Sequence, residues 1–124
     1  MKVNGHIEFT IVEQSADRVV GRMPVVAGIL NPFGVAHAGA MLWFADVCAS
    51  ILAFGSADMA PGVAGFPLGI SLNAVILGNQ KGGTLTATSE FIKKGRTLIV
   101  VRTSIVGDEG RAIADVTTGH IPAK

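Results

Sequence analysis

The chain reads as an α+β domain in which one long apolar helix lies against an antiparallel sheet. Three observations predict this. Residues 38–54 form a run of high helix propensity that carries a single charge, Asp46. The shorter segments on either side alternate or are β-branched, and Gly-containing links join them. Their order is strand, strand, helix, then four strands. That order suits a helix set on one face of a sheet and does not suit a βαβ repeat.

Each element has its own signal. Residues 6–13 alternate, with Ile7, Phe9 and Ile11 on one face and Glu8 and Thr10 on the other, so they read as a strand. Ser15-Ala16-Asp17 is a turn. Residues 18–25 form a second strand that ends near Pro24. From Gly28 to His37, Asn31-Pro32 and two glycines mark a shaped loop. The helix over 38–54 has a natural stop in Gly55. It is apolar all round, so it needs cover from a sheet, a second subunit, or both. Gly39 and the alanines at 38, 40, 45, 49 and 53 would let a sheet backbone come close. Residues 56–69, rich in Gly, Pro and Ala, read as a loop. Strands follow at 70–77, 84–92, 97–106 and 112–118. Their links are residues 78–83, Lys93-Lys94-Gly95-Arg96 and Gly107-Asp108-Glu109-Gly110. Short links of this kind predict an antiparallel meander. One sheet layer and one oily helix leave apolar surface uncovered, which predicts a homodimer or homotetramer.

Composition narrows the function. The 124 residues fit one domain, residues 1–124, and 49% of them are apolar, enough for a core. A net charge of +1 gives no case for nucleic acid or an anionic membrane. Tyr is absent, so a base-stacking platform is not expected. The single cysteine, Cys48, excludes an intrachain disulfide and suits a reducing, cytoplasmic setting. No signal-like apolar run opens the chain. Residues 38–54 are short for a membrane span and hold Asp46 near their centre, so no membrane is expected. His6 and His120 stand without cysteines or carboxylates at ligand spacing, so no metal and no cofactor are expected. P-loop and Gly-x-Ser-x-Gly motifs are missing.

Asp46 is the most informative residue. A buried, unpaired carboxylate is costly, and a chain keeps one where it works or is fully paired. Asn31, Gly34, His37, Gly39 and Asp46 follow one another at a spacing that resembles the hotdog-fold thioesterases. The closest resemblance is to the phenylacetic-acid-degradation type within the 4-hydroxybenzoyl-CoA thioesterase-like superfamily. Those proteins carry an Asn, a loop Gly and a His-Gly-Gly that opens the central helix, with an acid nine residues after the His. Lys94-Gly95-Arg96-Thr97, and Gly107-Asp108-Glu109-Gly110 before Ala114, look like the family too. The resemblance spans nearly the whole chain.

The resemblance implies a hotdog fold, with a sheet of five to six strands wrapped around one long central helix. It implies an acyl-CoA substrate, hydrolysed to free acid and CoA. It also implies that Asp46 of one subunit faces the helix start of the other. Asp46 is then general base or nucleophile. The N–H groups of Ala38 and Gly39, at the positive end of the helix dipole, polarise the carbonyl. Asn31 orients water or holds the carbonyl, and His37 completes the catalytic set. Ser50 shares a helix face with Asp46. Ser71 and Asn73 share a strand face. In related human-type thioesterases a serine on that strand helps place the water, which makes Ser71 a candidate. Lys94 and Arg96, with Lys93, are candidates for the CoA phosphates.

Plainer readings stand beside these. Asp46 and His37 are also explained as structural groups, Asn31 as a turn former, Ser50 as a back-bonded helix hydroxyl, and the basic turn as solvated. Ala38 departs from the family, whose first glycine it replaces. An alanine is tolerated there if the backbone has the negative φ of a helix start. Trp43, Phe44, Phe54 and Phe66 are pocket walls or core. Two other functions compete: a non-catalytic acyl-CoA-binding module, and a hotdog dehydratase or hydratase.

Overall fold

A computed structural model describes residues 1–55 and 66–121. Six strands and one α-helix are present among them: β1 (Thr10–Gln14), β2 (Arg18–Pro24), α1 (Ala38–Phe54), β3 (Leu68–Ile76), β4 (Thr84–Lys94), β5 (Ile99–Val106) and β6 (Ala112–Ile121). The strands form one antiparallel sheet in the order β1-β2-β4-β5-β6-β3. The helix crosses one face of it, against β2, β3, β4, β5 and β6. This is the hotdog arrangement expected.

The helix bounds match the sequence reading. His37, in extended backbone, caps α1, and its Nδ1 accepts the Ala40 N–H at 2.9 Å. Gly55 ends it in the left-handed region, φ 76°, where its N–H returns to the Ile51 carbonyl. Ala40, Ala45 and Ala49 are fully buried against the sheet. At Gly21 on β2 the approach is close, since a Cβ there would lie 2.9 Å from both Cys48 Sγ and Phe44. The side of α1 turned from the sheet is open at Gly39 and Trp43, and Ala38 is exposed at the helix start in the single chain. The alternating inward residues Leu85 and Ala87, Val101 and Ile105, and Val116 complete the core. Ser89 and Thr103 face inward too and satisfy each other with a 2.7 Å hydrogen bond.

The expected four-strand meander is corrected. Only β4, β5 and β6 run as one; β3 pairs with β6, not β4. The end of β3 stays tied to β6, because the Leu77 and Gly78 N–H groups both reach the Ile113 carbonyl. The chain then crosses below β5 and β6. Asn79 and Gln80 pin this crossing to Ala36, Thr84 and Asp108. Its glycines had suggested a tight hairpin, but these long-range bonds decide its path.

Other bounds shift as well. The first strand begins at Thr10, where its pairing with Arg22 of β2 starts, and residues 6–9 lie outside that ladder. Ile7 and Phe9 still pack on the core. The β4–β5 turn falls at residues 95–98, closed by Gly95 N–H to the Leu98 carbonyl, so Lys93 and Lys94 belong to β4. Residues 68 and 69, read as loop, start β3, and β6 continues to Ile121 because the two pair there. Residues 56–65 of the expected loop lie outside the described residues.

β3 is an edge strand with much apolar surface in the open. Leu68 is 65% exposed, Ile70 50% and Val75 51%. Among the described residues its outer backbone edge carries no partner strand.

Candidate active site

Asp46 stands at mid-helix and looks into a cleft of about 520 Å³ between α1 and β3. Ser50, one turn on, lines the same cleft with Phe66, Gly69, Ile70 and Ser71. Asp46 is half-buried, not sealed in the core as its apolar neighbours suggested. Opening onto the cleft lowers the desolvation cost that made it conspicuous. Phe54 stacks on Phe66 with centroids 5.4 Å apart and supports that wall. Phe44 is core, and Trp43 sits outside, edge-on to Phe9 at 4.7 Å.

The helix start forms a second place. A cleft of about 460 Å³ there is lined by Asn31, Pro32, His37, Leu30 and Gly28, with Val3, Asn4, Gly5 and Ile7. Asn31 Oδ1 accepts the Phe33 N–H at 2.9 Å and the Val35 N–H at 3.3 Å, so it shapes the loop. Gly34, at φ 80°, completes that turn. His37 spends its Nδ1 on the helix cap. The Ala38 and Gly39 N–H groups are first-turn donors with no acceptor among the described residues. Ala38 is not in the left-handed region, so a side chain at this position is compatible with the turn. At Gly39 a Cβ would press within 3.1 Å of the capping imidazole.

Ala38 and Asp46 are separated by roughly 12 Å along one helix, at 1.5 Å per residue. One subunit therefore does not bring the carboxylate to its own helix start. The remaining candidates disperse. Asn73 pairs with exposed Thr117, on the face of β6 turned from the buried Thr118, and lines neither cleft. Ser71 pairs with Gly119 and lies over it, at the cleft margin. Lys94 sits over Phe91 at 5.2 Å, and neither Lys94 nor Arg96 lines a cleft.

The sequence reading missed His120. It is buried on β6, with Nε2 2.9 Å from Thr118 Oγ1. Burial pushes its imidazole below the ordinary value, against the upward pull of the Asp46 charge. Carrying the alternation of Ala114, Val116 and Thr118 one step further would have placed it on the inner face. Cys48 is also buried, and its thiol is pushed up to about 12. Among the described residues no cluster of His, Cys, Asp and Glu forms a metal-sized group, and no helix is long and apolar enough to cross a membrane.

A six-stranded sheet on one central helix is the hotdog arrangement, and a carboxylate at mid-helix with open amides at the helix start is chemistry that a hydrolase of this fold can use. Comparison with known proteins agrees. The chain is 35% identical over 103 residues to a protein of Bacillus subtilis named "Putative esterase ComA2", covering 83% of this chain and 79% of that one. No family model matches. Among solved structures, a point mutant of the Staphylococcus aureus thioesterase SAV0944 superposes with a TM-score of 0.82 at 29% identity, over 94% of this chain and 93% of that chain. A hypothetical thioesterase of Streptococcus pneumoniae, solved with coenzyme A, shares the fold at TM-score 0.82 and 22% identity, over 94% and 86%. The chain belongs to the thioesterase superfamily of hotdog proteins and is a thioester hydrolase.

Proposed function

We propose that the protein hydrolyses an acyl-CoA thioester in a homodimer or homotetramer, with each site built from two subunits. The observation that carries this reading is the separation of the two half-sites. A carboxylate in an open cleft and a set of free helix-start amides lie too far apart on one helix to act together. A two-fold related copy supplies the missing half. The apolar, unpaired edge of β3 and the open side of α1 are surfaces that such a copy would cover. The coenzyme A held by the pneumococcal relative supports the choice of thiol.

In this reading Asp46 takes a proton from water, or attacks directly, and the Ala38 and Gly39 amides of the partner subunit hold the developing oxyanion. Asn31 and His37 shape the loop that presents those amides. Ser50 and Ser71 contact substrate or water at the cleft. Lys94, Arg96 and Asn73 have no geometric support in the single chain. The lone buried Cys48 fits a reducing, cytoplasmic setting.

The test is hydrolysis of an acyl-CoA panel, followed with a thiol reagent, by wild type and Asp46→Asn. The Asn variant should fold and lose at least ~10²-fold in kcat, the usual scale for a positioned base. A variant with wild-type turnover refutes the role of Asp46. Binding of acyl-CoA without turnover by the wild type would favour a non-catalytic module instead.

A further inference from the structure

His120, Thr118 and Asp46 converge around one glycine. His120 is 0% exposed, its Nε2 is engaged with Thr118 Oγ1, and its Nδ1 has no partner among the described residues. Native structures seldom leave a buried ring nitrogen unpaired without a use for it. Gly69 of β3 lies opposite His120 in the ladder. A Cβ on Gly69 would stand 3.9 Å from His120 Nδ1 and 4.0 Å from Asp46 Oδ1. The imidazole and the carboxylate thus approach the same point from β6 and α1. They are near but not bonded, since the ring's one hydrogen bond goes to Thr118. With no side chain at residue 69, nothing from β3 stands between them.

We propose that His120 is a positioning residue for Asp46: its Nδ1–H donates to one carboxylate oxygen in the assembled site, while its Nε2 accepts the Thr118 hydroxyl. This rests on the reading of Asp46 as the group that activates water. The arrangement holds one Asp46 oxygen and leaves the other for chemistry. An O–H bond of water breaks and its proton goes to that free oxygen. The water oxygen bonds to the acyl carbon, the C–S bond breaks, and the leaving thiolate takes the proton back from Asp46. His120 keeps its own proton throughout.

The surroundings suit this role. Burial keeps the ring neutral at physiological pH, and a neutral ring has a single N–H to place. A Thr118 hydroxyl donated to Nε2 puts that hydrogen on Nδ1, facing the carboxylate. Asp46, from α1, is the charge that acts on His120. The neighbours paired with it, Ile99 from β5 and Gly69 from β3, carry none.

The experiment joins nitrogen NMR of the His120 ring to kinetics of His120→Phe, His120→Asn and Asp46→Asn in the full chain. The wild type should show the Nδ1–H tautomer, and Asp46→Asn should lower the His120 pKa, because the charge that raises it is gone. His120→Phe should lose about tenfold to a hundredfold in kcat with little change in KM, the scale seen for outer partners that orient a reactive ligand. His120→Asn, whose amide mimics Nδ1–H, should recover most of the rate. An Nε2–H tautomer overturns the proposal, and so does a folded Phe variant with wild-type kcat. If the Phe variant does not fold, the tautomer decides alone. The two readings fail separately. Wild-type turnover by Asp46→Asn defeats the role of Asp46. A slow Asp46→Asn together with the wrong tautomer defeats only that of His120.

Discussion

Replacing Ala38 by proline isolates one hydrogen-bond donor in a place where the fold tolerates it. Residue 38 is the first helical position of α1, so its N–H bonds to no carbonyl of the helix. The preceding residue, His37, already has φ −77° and ψ 148°, the extended backbone that proline demands of its predecessor. The His37 cap goes to the Ala40 N–H and is untouched. The Ala38 side chain is exposed, so the ring meets no core atom in the single chain. Ala38→Pro should therefore melt within about 5 °C of wild type, the shift that ~1 kcal/mol gives a domain of this size. If the amide holds the oxyanion, its loss should lower kcat by about 10²–10³-fold. Ala38→Gly keeps the N–H and should stay within roughly tenfold, about 1.4 kcal/mol. The assay is acyl-CoA hydrolysis with thermal unfolding measured on the same samples. A Pro variant that is folded and turns over at the wild-type rate removes residue 38 as donor. The Gly39 amide or the Asn31 side chain would then take its place.

Three further outcomes follow from the structure. Thr103→Val strands the Ser89 hydroxyl in the core and should cost about 1–3 kcal/mol in chemical unfolding; adding Ser89→Ala should recover part of that, and no coupling between the two would refute the pairing. Light scattering should return two or four times the 12.8 kDa chain mass, and a monomer at micromolar concentration would contradict the shared site. The hydrogen bonds from Arg102 hold the Asp115 carboxyl below its usual range, although partial burial opposes this. A depressed folded-state pKa adds stability above the ordinary carboxylate value and loses it as pH falls through the folded one. Asp115→Asn should flatten that acid-side slope, and the difference should shrink in salt; an unchanged pH profile would count against it.

Much of the architecture was legible because it is written in local periodicity. The helix over 38–54, its stop at Gly55 and the order of strands follow from spacing and from the few residues that allow a turn. The distance from His37 to Asp46 was legible too, as a spacing on one helix. Strand neighbours were not. Alternation tells which face a residue takes, not which strand lies beside it. The glycines at 78, 82 and 83 suggested a hairpin, while the bonds of Leu77, Asn79 and Gln80 to distant residues send the chain across the sheet. Burial also had to wait for the tertiary structure. Asp46 sits among apolar residues in sequence, yet the cleft against β3 keeps it half open. His120 sits near the end of the chain, yet pairing of β6 with both β3 and β5 seals it inside. Local chemistry sets what each segment becomes; long-range pairing alone decides which side chains meet.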